Sequence, residues 1–170
     1  VIGRRWGVSE AETTLAFGCD TEVADPVLEL WRGVTVDAPA ASLWPWVRML
    51  TLAPYSYDLV DNLGRRSPRQ LADLADPQPG DRAMRVARVV AAEPGRELTV
   101  QLGRSGGPVG RTVMSYQLVP AGLVTRLLLK VVVERGGPLT KLVTAGLPAG
   151  DLVMARKQLL TLKARCESHA

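Results

Sequence analysis

RTVMSYQLVPAGLVTRLLLKVVVE, residues 111–134, holds two strands and the turn that folds one onto the other. Leu127, Leu129, Val131 and Val133 fall on one phase of a two-residue alternation, with Arg126, Lys130 and Glu134 on the other. In the run before it, Thr112, Met114, Tyr116 and Leu118 alternate with Arg111, Ser115 and Gln117. Each strand therefore reads as one dry face and one wet face, the pattern of an antiparallel sheet with one solvated side. The PAG at residues 120–122 is too short for a parallel crossover, which needs about a dozen residues, so strands at Arg111–Val119 and Thr125–Glu134 form a hairpin.

The same texture extends upstream. Further strands are expected at about Arg82–Ala92 and Glu97–Leu102, set off by PGR at 94–96 and the glycine-rich RSGGPVG at 104–110. Earlier still, Leu28, Leu30, Val34 and Val36 alternate with Glu29, Trp31 and Thr35 across Val27–Val36, with Arg32 on the apolar phase. Pro39 then suits the first turn of a helix running to about Leu50, and Pro45 within it predicts a kink or two short pieces. A second short helix is expected in YDLVDNLG, residues 57–64, capped by Gly64. Ser67-Pro68-Arg69-Gln70 has the form of a capping box that opens another.

The chain closes on a helix expected from Asp151, a good N-cap, to Cys166. At 100° per residue, Leu152, Ala155, Leu159, Leu162 and Cys166 make one apolar stripe and Val153, Leu160 and Ala164 a second. Lys157, Gln158, Thr161 and Arg165 fall on the far side. So wide an apolar surface must pack into something concave, and a curved sheet supplies it; any space the two leave unfilled is a pocket. The expected class is α+β: a curved antiparallel sheet wrapped around a long C-terminal helix, with short helices after the first strand.

Composition narrows the function classes. A chain of 170 residues, 46% hydrophobic and 22% charged, fits one domain spanning 1–170. The net charge is +4, yet Arg65, Arg66 and Arg69 are followed by Asp73, Asp76 and Asp81, and no aromatics interleave with arginine as in base-stacking surfaces. No nucleic-acid partner is expected. No uncharged run approaches the roughly 18 residues of a membrane span, and SEAETT after Arg4 and Arg5 is no signal-peptide core. Cys19 and Cys166 stand far apart without a metal-binding spacing, so a soluble, cytoplasmic protein with no metal and no cofactor is expected.

Several stretches together resemble the START-like or SRPBCC superfamily, whose helix-grip fold serves lipid-transfer domains and aromatic polyketide cyclases. They are TVDAPAASLWPWV at 35–47, YSYDLVDNLG at 55–64, PGD at 79–81, SYQLVP at 115–120, TRLLLK at 125–130 and DLVMARKQLLTLKARCE at 151–167. With WGVSEAE at 6–12 and FGCD at 17–20, they are similar to a bacterial branch usually labelled uncharacterised or polyketide cyclase/dehydrase. LTLAP at 50–54 stands where that branch carries a longer, glycine-bearing connection. The resemblance implies a helix-grip fold and a hydrophobic ligand, lipid-, aromatic- or polyketide-like.

The residues themselves leave several roles open. His169 is the single histidine and lies at the terminus, which argues against Ser-His-Asp, Cys-His or histidine-metal chemistry. GRSGGPVG at 103–110 lacks the Lys-Ser/Thr of a phosphate-binding loop and reads as a hairpin. Asp58 and Asp61 share a helix side, so one can act as acid or base, or both can pair with Arg65 and Arg66. Tyr55, Tyr57 and Tyr116 either present hydroxyls to a ligand or fill core, as do the rings of Trp44 and Trp46. Met114, Leu129 and Leu159 face the expected pocket. Arg156 and Lys163 either hold an anionic ligand group at its mouth or snorkel to water. Three functions follow: a non-catalytic binder of a hydrophobic small molecule; a cyclase or dehydratase using Tyr116, Asp58, Asp61 or Arg156; or a protein-interaction module.

Overall fold

The computed structural model describes residues 3–56, 67–84, 86–108 and 110–169. The helix expected in 57–64, its Gly64 cap, and Tyr57, Asp58, Asp61, Arg65 and Arg66 lie outside the described residues. The hairpin read first from sequence is the centre of the fold. β6 (Thr112–Ala121) and β7 (Val124–Glu134) pair antiparallel from Thr112↔Val133 to Ala121↔Val124. Gly122, at φ 70, takes the first loop position, where a two-residue hairpin turn demands the left-handed region that glycine enters freely.

β7 pairs on its other side with β2 (Pro26–Val36), again antiparallel, from Pro26↔Glu134 to Val36↔Thr125. β5 (Glu97–Leu102) and β4 (Ala87–Glu93) continue the meander beyond β6, ending in the short β3 (Arg82–Ala83). β1 (Arg5–Trp6) joins the far edge parallel to β2. Among the described residues the seven strands form one sheet, ordered β1-β2-β7-β6-β5-β4-β3. The protein is α+β with a mixed sheet, where an all-antiparallel one was expected.

The expected strand over 82–92 is divided because Met84 turns at φ 44 and gives its N–H to Leu50 O at 2.8 Å, which draws the chain off the ladder. The helix after β2, α2 (Ala40–Arg48), runs through Pro45 without dividing and passes into a 3-10 turn at Met49–Thr51. A proline costs it one internal hydrogen bond, and burial of Leu43, Trp44, Trp46 and Val47 offsets that loss. No helix follows Ser67, despite its capping-box sequence. The stretch is taken up instead by tertiary contacts: Arg48 Nη1 donates to Leu74 O at 2.6 Å, and Trp44 Nε1 donates to Asp76 Oδ1 at 2.8 Å.

The faces of β6 and β7 that alternate as wet are also covered. Phe17, Cys19 and Val23, on and around the short α1 (Gly18–Glu22), pack over Val113, Leu128 and Val132 in a second small core. Three polar residues of this face find partners beneath it. Cys19 N donates to Ser115 Oγ at 2.8 Å, Gln117 Nε2 donates to Ala16 O at 3.0 Å, and Lys130 Nζ pairs with Asp20 and Glu29.

The terminal helix, α3 (Thr140–Glu167), begins roughly three turns before Asp151, so that residue lies inside the helix and not at its cap. Gly146, Pro148 and Gly150 mask the extension in sequence, since each lowers helix propensity. Most of the first stripe holds: Ala155, Leu159, Leu162 and Cys166 are buried in the main core, whereas Leu152 is half-buried and outside it. The second does not, for Val153 and Leu160 are exposed while Gln158, assigned to the far side, is buried. α3 packs mainly on β2 and α2, so only one side of it meets the sheet.

Candidate functional site

Because α3 leans toward the β2 side while α2 packs over part of β6 and β7, a region between α3 and the inner faces of β5, β6 and β7 is left unfilled. The space is a cavity of about 580 Å³. Leu102, Met114, Leu129 and Val131 form its sheet wall, Leu147, Met154 and Ala155 its helix wall, and Met84 borders it. The alternation of β6 and β7 aims these side chains inward, and the periodicity of α3 brings residues 147, 151, 154, 155 and 158 to one face.

Two polar groupings interrupt the apolar lining. In the first, Tyr116 Oη donates to Gln158 Oε1 at 2.7 Å, and Gln158 Nε2 donates to Pro54 O. The ring and the amide thus satisfy each other deep in the protein, where an unmade hydrogen bond is costly. Burial pushes the Tyr116 hydroxyl pKa well above its ordinary value, and the nearby Asp151 charge adds to that.

The second grouping is ionic. Arg32 on β2 is wholly buried, and its Nη2 lies 2.8 Å from Asp151 Oδ2. Its guanidinium also donates to Arg4 O at 2.8 Å, Trp31 O at 2.9 Å and Gly3 O at 2.8 Å, tying the N-terminal segment to the sheet. Asp151 lines the cavity and Arg32 does not, so the pair turns its anionic end to the open space. Burial raises the Asp151 pKa, against the opposing pull of Arg32, and burial lowers that of Arg32 against Asp151. Desolvation thus outweighs attraction on both sides of the pair.

A smaller, polar cleft of about 290 Å³ lies alongside, sharing Ser56 with the cavity. Arg69, Lys157 and Arg165 line it, with Tyr55 and Thr161. Three cationic side chains make it a poor receptacle for apolar surface.

The residues proposed from sequence divide accordingly. Met114, Tyr116 and Leu129 line the cavity. Leu159 is buried in the core away from the lining, Tyr55 borders the polar cleft, and the Trp44 indole faces Asp76. Trp46 is buried, with the His169 ring 5.2 Å away. The expectation that Arg156 and Lys163 reach the pocket mouth is corrected. Arg156 stands over the Trp6 ring at 5.2 Å, and Lys163 Nζ donates to Thr35 O at 2.7 Å. Both contacts are with the β1–β2 edge, because that is where α3 lies.

Sequence reasoning missed Asp151 and Gln158 as lining residues, having placed one at a cap and the other on the solvent side. One signal was present: Arg32 on the apolar phase of its strand is a buried charge in need of an acid. Among the described residues no group of three His, Cys, Asp or Glu gathers to hold a metal ion. Nor is any helix there long and apolar enough to cross a membrane.

No family model matches the chain, and no curated protein matches it. Solved structures do. Protein MLL2253 from Mesorhizobium loti is similar with a TM-score of 0.53 at 15% identity, over 84% of this chain and 98% of that one. A protein from Arthrobacter aurescens gives 0.53 at 13% identity, over 91% and 92%, and one from Thermobifida fusca 0.52 at 16%, over 82% and 93%. At such identities the likeness is one of fold alone.

Proposed function

We propose that this chain is a helix-grip domain of the START-like type that binds a hydrophobic small molecule between its sheet and terminal helix. The observation that carries the reading is the cavity of about 580 Å³ with its predominantly aliphatic and thioether wall. That volume lies within the roughly 300–1,000 Å³ of small-molecule sites, which combine an apolar lining with a few polar groups. The order of sheet and helices, and the fold likeness to the Mesorhizobium and Arthrobacter proteins, support the same assignment.

Two of the expected proton-handling groups, Tyr116 and Arg156, are disposed in favour of binding without chemistry, while Asp58 and Asp61 lie outside the described residues. The Tyr116 hydroxyl is spent on Gln158 and its pKa is raised, so it is neither a ready base nor free to donate. Arg156 lies at the opposite side of α3, over Trp6.

Fluorescence titration with pyrene, alongside native mass spectrometry of gently purified protein, tests the proposal. One-to-one pyrene binding is expected, and Ala155→Trp, which places an indole in the cavity, should abolish it while leaving the circular dichroism spectrum intact. Pyrene binding that the well-folded Ala155→Trp variant retains in full would place the ligand elsewhere and end the reading.

A further inference from the structure

Resting on the cavity as a small-molecule site, we propose that its occupant is an apolar molecule carrying a hydrogen-bond donor, a hydroxyl or an ammonium group, seated on the Asp151 carboxylate, and that the site rejects anions. Asp151 is the one charged residue in the cavity lining among the described residues. The cation that partners it is no counterweight for a ligand, because Arg32 is wholly buried outside the lining and its Nη groups are given to four backbone carbonyls besides. An entering molecule therefore meets negative charge.

Two of the other polar side chains in the lining are already matched. Gln158 and Tyr116 bond to each other, and the Gln158 amide donates to Pro54 O. Asp151 has Arg32 as its partner, whereas a carboxylate offers about four acceptor positions. A ligand that covers Asp151 strips water from the unused positions and must replace it with a donor, or the complex bears the cost of a buried, unmatched charge. A ligand carboxylate placed there would add like-charge repulsion in a poorly screened site. Burial raises the Asp151 pKa against the pull of Arg32, so the carboxylate is poorly solvated where it stands.

The pair is also lopsided in a way that suits a site residue. Arg32 is held by carbonyls of Gly3, Arg4 and Trp31 as well as by Asp151, so its position does not depend on the carboxylate alone. Asp151, for its part, sits on a continuous helical face with Met154, Ala155 and Gln158, which form the same cavity wall.

Four probes of one shape decide it: pyrene, 1-hydroxypyrene, 1-pyrenemethylammonium and 1-pyrenecarboxylate, titrated by fluorescence against the whole chain. The hydroxyl or the ammonium probe should bind about tenfold tighter than pyrene, and the carboxylate weakest. Which donor wins tells a neutral occupant from a cationic one. Asp151→Leu, which removes every acceptor, should erase the preference, the hydroxyl and ammonium probes then binding no tighter than pyrene does to the same variant. Asp151→Asn, the gentler change, should erase the ammonium preference and weaken that for hydroxyl. Pyrene binding with no gain from either donor, a preference that survives both variants, or tight carboxylate binding would overturn the proposal and leave the cavity reading standing. Failure of all four probes to bind would remove the cavity reading, and this one with it.

Discussion

At the scale of single residues, Arg32 and Asp151 are partners with unequal roles. The Asp151 pKa is raised above its ordinary 3.8, so between that value and the folded-state value the native protein holds more protons than the unfolded chain. Its contribution to stability therefore falls as pH rises through that window. Asp151→Asn, a neutral isostere, should match the wild type below about pH 4 and equal or exceed its stability near pH 7, as read from urea midpoints. Arg32→Met should behave oppositely, costing about 3–5 kcal/mol, because it strands a buried carboxylate and leaves carbonyls of the N-terminal segment without their donor. Tyr116→Phe should cost about 1–3 kcal/mol by leaving Gln158 Oε1 without a donor in a dry site.

Elements show where packing overrode local pattern. The segment around α1 covers the outer face of β6 and β7, and its hold can be measured through Cys19, whose buried thiol is pushed up to about 12. Cys19 should resist thiol reagents at neutral pH unless this segment opens. One clamp on it is the pair of contacts from Arg126 Nε and Nη2 to Glu12, at 2.7 and 3.0 Å. The hydrogen bond from Arg126 lowers the Glu12 pKa, so this clamp is in force above about 4.5 and is lost as pH falls through the lowered value. Glu12→Gln should speed Cys19 labelling about two- to fivefold, with Cys166, buried in the main core, as the slow internal control. Labelling of both cysteines at one rate, tied to global unfolding, would mean that the segment never opens by itself.

For the whole molecule, the consequential fact is that α3 rests toward the β2 edge instead of filling the hollow of the sheet. A space of this size left open in a protein of 170 residues costs dispersion contacts, and a ligand that occupies it restores them. Ligand binding should accordingly raise the melting temperature in step with free ligand. The stabilisation is about 2.7 kcal/mol at a hundred times Kd, and it should be absent in Ala155→Trp. A thermal midpoint indifferent to saturating pyrene would contradict that coupling.

Two-residue alternation was enough to establish β2, β5, β6 and β7, and short turns the hairpin connections of the last three, because strand period and loop length are local properties of the chain. The inward direction of Met114, Tyr116 and Leu129 was legible for the same reason. Which faces are covered was not. The burial of Ser115, Gln117 and Lys130 depends on a segment about a hundred residues earlier in the chain, and the true start of α3 depends on packing that tolerates Gly146, Pro148 and Gly150. The placement of α3 over β2 then decided which of its polar residues meet the cavity, exchanging Arg156 and Lys163 for Asp151 and Gln158. Helical periodicity specifies which residues share a face, but the direction of that face is chosen by contacts remote in sequence, and those exist only once the chain has folded.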